Sequence, residues 1–102
     1  MERTERIKAM EKRLEAALLA VGVLESALEA YADVSEDIRI LADYLSSPEW
    51  RGDLSADERG LLPPELKRGV LSEDGIYGLL EREAEMRARA LELFAPPDGE
   101  EI

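Results

Sequence analysis

Residues 4–31 read TERIKAMEKRLEAALLAVGVLESALEAY. Apolar side chains fall at Ile7, Met10, Leu14, Ala17, Val21, Leu24, Leu28 and Tyr31, an unbroken alternation of three- and four-residue steps. A helix turns once in about 3.6 residues, so this spacing lays all eight along one seam of a single long helix. Between Ala16 and Leu24 the stripe widens, because Leu18, Leu19 and Val23 are apolar too. A two-stranded coiled coil needs only the narrow seam, whereas a wider stripe suits a helix packed against two neighbours in a bundle. Glu2 and Arg6, four apart, add a weak surface pair. Gly22 lies off the seam and costs about 1 kcal/mol relative to alanine in a helix interior.

The sequence C-terminal to this helix predicts two more helices with an irregular stretch between them. Ser35-Glu36-Asp37 has the composition of a helix start: a hydroxyl to cap free amides, then acids at the positive end of the dipole. The helix it predicts buries Ile38, Leu41 and Leu45, with Ala42 and Tyr44 beside them, and stops near Ser46. Ser47-Pro48-Glu49 reads as a fresh cap with proline at the first helical position. Ser55-Ala56-Asp57-Glu58 matches a capping box, and Gly60 ends a helical turn. Leu61-Leu62-Pro63-Pro64 cannot continue a helix. The last helix is expected from Ser72, with Glu73 and Asp74 in its first turn. Ile76, Leu79, Leu80, Ala84, Leu91 and Phe94 lie on one broad face, and Glu83 and Arg87 pair four apart. Pro96-Pro97 closes it. The fold class expected is all-α: a small antiparallel bundle of three main helices with an irregular insertion before the last. Residues 1–95 are expected to form one domain and 96–102 a disordered tail.

Composition restricts the chemistry. The chain has 102 residues, no cysteine and no histidine. Disulfides, thiolate zinc sites and a cysteine nucleophile are excluded, as are the commonest general base and the commonest transition-metal ligand. Any metal site must be built from oxygen, which points to magnesium, calcium or manganese. Ser72 is a poor nucleophile, since Lys67 is the only lysine near it in sequence. The formal net charge is -11. Residues 1–31 carry six acids and five bases, residues 32–62 eight and three, and residues 63–102 ten and five. The acidic surface therefore belongs to the middle and the end. It disfavours direct contact with nucleic acid or an anionic membrane, both of which need a basic face. The N-terminus alternates charge and lacks a bare apolar stretch, so a cytoplasmic location is expected.

The stretch from Trp50 to Leu80 reads WRGDLSADERGLLPPELKRGVLSEDGIYGLL. It resembles a bacterial family of short proteins known as a domain of unknown function, DUF4298. The resemblance rests on Trp50, Asp53, Ala56-Asp57-Glu58, Leu62-Pro63, the run from Leu66 to Asp74, and Tyr77 with Leu79-Leu80. It extends over roughly residues 5–85, the long N-terminal helix and the Leu41-x-x-Tyr44 segment included. Leu45 departs from the pattern, which has a second tyrosine there. The family implies no established activity, so it lends no catalytic residues.

Four groups of residues carry candidate chemistry. Asp53, Asp57 and Glu58, joined by Glu73 and Asp74, could hold a hard cation, since Asp53 and Asp57 share a face if one helix covers both. Capping and solvation explain the same acids, because those after Ser55 and Ser72 fall where a helix dipole favours them. Lys67-Arg68 could hold a phosphate or a partner's carboxylate, or pair internally with a nearby acid. Trp50, with Tyr44 and Tyr77, could be core, the indole N–H finding a carbonyl, or an exposed protein-binding anchor. The seam of the first helix could pair with a second copy of the chain or pack intramolecularly. These readings favour a non-enzymatic interaction or regulatory module without cofactor. It docks another protein through residues 50–77, with Trp50, Asp53, Asp57, Glu58, Lys67, Arg68, Glu73, Asp74 and Tyr77 as candidate contacts. The alternative is a magnesium- or manganese-dependent enzyme or metal-binding protein using Asp53, Asp57, Glu58 and Asp74.

Overall fold

The computed structural model describes residues 2–72 and 74–96. It is all-α: helix α1 spans Arg3–Leu45, α2 spans Pro48–Glu58 and α3 spans Ile76–Phe94. A short 3-10 turn, Gly69–Leu71, precedes α3. By internal contacts the chain divides into Met1–Glu36 and Asp37–Ile102.

The expected break before Ser35 does not occur, and α1 is one helix of 43 residues. The reason is visible in the phase of the seam. Counting on from Tyr31 by fours and threes gives Ser35, Ile38, Ala42 and Leu45, so the same stripe continues, with no glycine or proline to interrupt it. Ser35 is not a cap. Its hydroxyl donates to the carbonyl of Ala32 at 2.9 Å, the back-bonding by which a serine is accommodated within a helix. At the start of α1 the Glu2 carboxylate accepts from the Thr4 amide at 2.9 Å. That bond holds the Glu2 carboxyl below its ordinary value.

The unit Met1–Glu36 is the first part of α1 alone. The unit Asp37–Ile102 contains the end of α1, α2, the 3-10 turn and α3. The face predicted for the end of α1 is the one that turns inward: Ile38, Leu41, Ala42, Tyr44 and Leu45 are all half-buried, while Arg39, Ile40 and Asp43 are exposed. Arg39 and Asp43 pair on that exposed side at 3.1 Å.

The predicted stop and restart at Ser46–Pro48 are observed. Ser47 caps α2, its hydroxyl oxygen accepting from the Trp50 amide at 3.3 Å, and Pro48 occupies the first turn where its missing N–H costs nothing. Ser55 lies inside α2 and does not open a new helix, so the capping-box reading fails there. Gly60 closes α2 at φ 70°, in the left-handed region. The Gly60 amide donates to the Asp57 carbonyl and the Leu61 amide to the Ala56 carbonyl, the paired bonds of a Schellman motif.

Ser72 likewise does not start the last helix. It closes the 3-10 turn, and its amide and hydroxyl both donate to the Gly69 carbonyl, at 3.3 and 2.8 Å. α3 begins four residues later at Ile76, behind Gly75. The 3-10 turn packs against both α2 and α3, and so joins them. Ile76 is the buried centre of this packing, 3% exposed. Leu79, Ala84, Leu91 and Phe94, which the sequence placed on the same broad face as Ile76, are exposed. Glu83 and Arg87 form the expected pair at 2.6 Å. The tail expectation falls outside the described residues from residue 97 onward. Among the described residues, no helix is long and apolar enough to cross a membrane.

Candidate functional site

Residues 50, 53 and 57 are spaced by three and four, which puts Trp50, Asp53 and Asp57 on one face of α2. Each side chain ties α2 to a different neighbour. The Tyr44 hydroxyl, from the end of α1, donates to Asp53 at 2.6 Å. The hydrogen bond, partial burial and the carboxylate's charge all favour the neutral phenol, and the Tyr44 pKa is pushed up to about 12. The half-buried Trp50 donates its indole N–H to the Val70 carbonyl in the 3-10 turn at 2.9 Å. Asp57 accepts from Arg68 Nε at 2.5 Å, with both side chains less than a third exposed.

Arg68 holds the irregular stretch together. Its Nη1 donates to the carbonyls of Leu66 at 2.9 Å and Pro64 at 3.3 Å, and its Nη2 to those of Pro63 at 2.7 Å and Leu62 at 3.4 Å. A segment with two consecutive prolines cannot satisfy its carbonyls with a helical ladder, so it needs an external donor. The planar guanidinium supplies several donors at once and carries the charge that matches Asp57. Lysine, with a single ammonium point, could not distribute its donors this way.

These ties leave a cleft on the same unit. It is open, about 400 Å³ in volume, and lined by Leu41, Lys67, Gly69, Val70, Gly75, Ile76 and Leu79. Its floor is apolar. Gly75 shapes one wall: a Cβ added there would collide with the Gly69 carbonyl oxygen, so only glycine permits this approach of the loop to the turn. Lys67 is exposed at the cleft, next in sequence to the fully engaged Arg68.

The structure thus separates the candidate residues into two groups. Trp50, Asp53, Asp57 and Arg68 are engaged in bonds within the unit. Lys67, Glu58, Asp74 and Tyr77 are exposed, Tyr77 at 60%. Glu73 lies outside the described residues. Among the described residues, no three carboxylates are grouped to hold a metal ion. No motif or spacing in the sequence groups Leu41, Gly69, Val70, Gly75, Ile76 and Leu79 as a site. The available signal was the pair of glycines, Gly69 and Gly75, bracketing residues 70–74, which marks close backbone approach.

Residues 7–93 match the family described as Domain of unknown function (DUF4298), so the chain belongs to that family. No curated protein and no solved structure matches it.

Proposed function

We propose that this DUF4298 member is a cytoplasmic, non-enzymatic interaction module that docks a segment of another protein through the region of residues 50–77. The observation that carries the reading is the cleft beside the 3-10 turn. Its floor of Leu41, Val70, Ile76 and Leu79 suits an apolar side chain, and Lys67 at its edge suits a neighbouring carboxylate. Three internal bonds support it: Tyr44 to Asp53, Trp50 to Val70, and Arg68 to Asp57. A frame fixed before binding loses little further freedom when a partner arrives. In this reading Trp50, Asp53, Asp57 and Arg68 position the surface, while Lys67 and Tyr77 meet the partner.

The test is selection of peptides from a displayed random library on the full chain. It is repeated on Lys67→Glu and on Leu79→Asp, each checked by circular dichroism for retained helix. Enrichment of peptides pairing a large apolar residue with an acid, lost on both variants, supports the docking reading. Failure to enrich, or enrichment that both variants share, removes it. The metal alternative is separated by magnesium or manganese titration: a rise in Tm that Asp57→Asn abolishes would favour it over docking.

A further inference from the structure

We propose that the unit Met1–Glu36 pairs with the same segment of a second copy of the chain, as a parallel, in-register, two-stranded coiled coil. Taken by itself this unit is one helix, and an isolated helix in water is held weakly without packing of its apolar face. Its seam runs for four heptads. Ile7, Leu14, Val21 and Leu28 occupy the first seam position of each, and Met10, Ala17, Leu24 and Tyr31 the second. β-branched residues at the first position with leucine at the second favour two strands, and Ile7, Val21 and Leu24 follow that rule.

Charge selects both the occupant and its direction. Residues 1–36 carry eight acids against five bases, while the longer remainder carries sixteen against eight. The first segment is therefore the part of an acidic chain on which two copies meet with least repulsion. In a parallel pair the residue just before one heptad faces the residue five further along the partner helix. That places Arg6 opposite the partner's Glu11, an attractive pair that the twofold symmetry repeats, and Arg13 beside the partner's Leu18, whose exposed apolar side chain the arginine stem can cover. An antiparallel pair with the same overlap instead sets Glu11 opposite the partner's Glu25, twice. Of the widened stripe only Leu18 flanks the seam; Leu19 and Val23 lie on the outer side of such a pair and stay exposed in it.

The experiment uses the full chain and its lack of cysteine. Sedimentation equilibrium is expected to give twice the monomer mass. A single Leu24→Cys variant is expected to form an intermolecular disulfide on mild oxidation, because parallel register stacks position 24 on itself. In the antiparallel register position 24 faces position 14, so the two sulfurs stand about ten residues, roughly 15 Å, apart. Arg6→Glu is expected to weaken the dimer about fivefold to tenfold, and Arg6→Glu with Glu11→Arg to restore it. Lys67→Glu, in the cleft, is expected to leave the mass unchanged, which keeps this inference separate from the docking reading. A monomer at every concentration overturns the proposal. So does a dimer that resists the disulfide and ignores the charge reversal, or one that Lys67→Glu dissociates.

Discussion

Tyr44 and Asp53 meet at 2.6 Å with the phenol as donor, so the bond exists only while the phenol keeps its proton. Ionisation would remove the bond and set two negative charges side by side, which is why the Tyr44 pKa moves from 10.0 to about 12. A group whose folded pKa exceeds its unfolded value contributes stability that is complete below the unfolded value and is lost as pH rises through the folded one. The contribution of this pair is therefore expected to be intact up to about pH 10 and to disappear between 10 and 12. Ultraviolet titration of phenolate in the full chain should show a late step for Tyr44, near pH 12. Asp53→Asn should bring that late step back toward the ordinary range. Superimposable titration curves for wild type and Asp53→Asn would show that the bond does not govern Tyr44. Arg68 follows a related logic with the charges reversed: its donors satisfy the carbonyls of a proline-interrupted strand of chain while its charge answers Asp57, so the ion pair is also the clasp of the loop.

At the level of elements, local signals decided correctly where the chain itself changes direction. Ser47-Pro48 and Gly60 are such places, because a proline in the first turn and a left-handed residue after the last are requirements of the helix ends themselves. Ser35, Ser55 and Ser72 carry similar lettering but do not start helices. A serine followed by acids fits a helix end and a helix interior alike, and what decides is whether the preceding helix has reason to stop. Before Ser35 and Ser55 it has none. At Ser72 the hydroxyl is claimed by the Gly69 carbonyl, and the close approach of Gly75 delays α3 until Ile76. Gly75→Ala is expected to destabilise the protein by about 1–3 kcal/mol, the usual range for forcing atoms into occupied space. Gly78 is the control. It lies in α3 with nothing within 4 Å of an added Cβ, and Gly78→Ala is expected to stabilise by roughly 0.5–1 kcal/mol through helix propensity. Paired thermal melts decide: equal shifts for both substitutions would mean that the approach of Gly75 to the Gly69 carbonyl is not a constraint in solution.

For the molecule as a whole, the all-α class was legible because periodicity survives without tertiary information, whereas the cleft was not. Its lining comes from the end of α1, the loop at Lys67, the 3-10 turn and the first turn of α3, and no spacing rule relates Leu41 to Val70 or Leu79. Arg68 could be read as a base near acids, but not as the donor to four carbonyls, since that depends on how the prolines turn the chain. Charge, by contrast, is a global quantity read directly, and it leads to a prediction about ionic strength. The chain carries 24 acids and 13 bases, so over distances of a Debye length or more its charges mostly repel. Salt screens those long-range terms most. The Arg68–Asp57 pair, in contact and partly buried, is screened less. The exposed Arg39–Asp43 pair is worth little in any salt. Raising sodium chloride from low to physiological concentration is therefore expected to raise Tm, in melts at one protein concentration, since Tm depends on that concentration when copies associate. A Tm that falls with salt would mean that short-range ion pairs outweigh the repulsion of the acidic surface. Stability would then rest on contacts such as that between Asp57 and Arg68 more than on the apolar packing around Ile76.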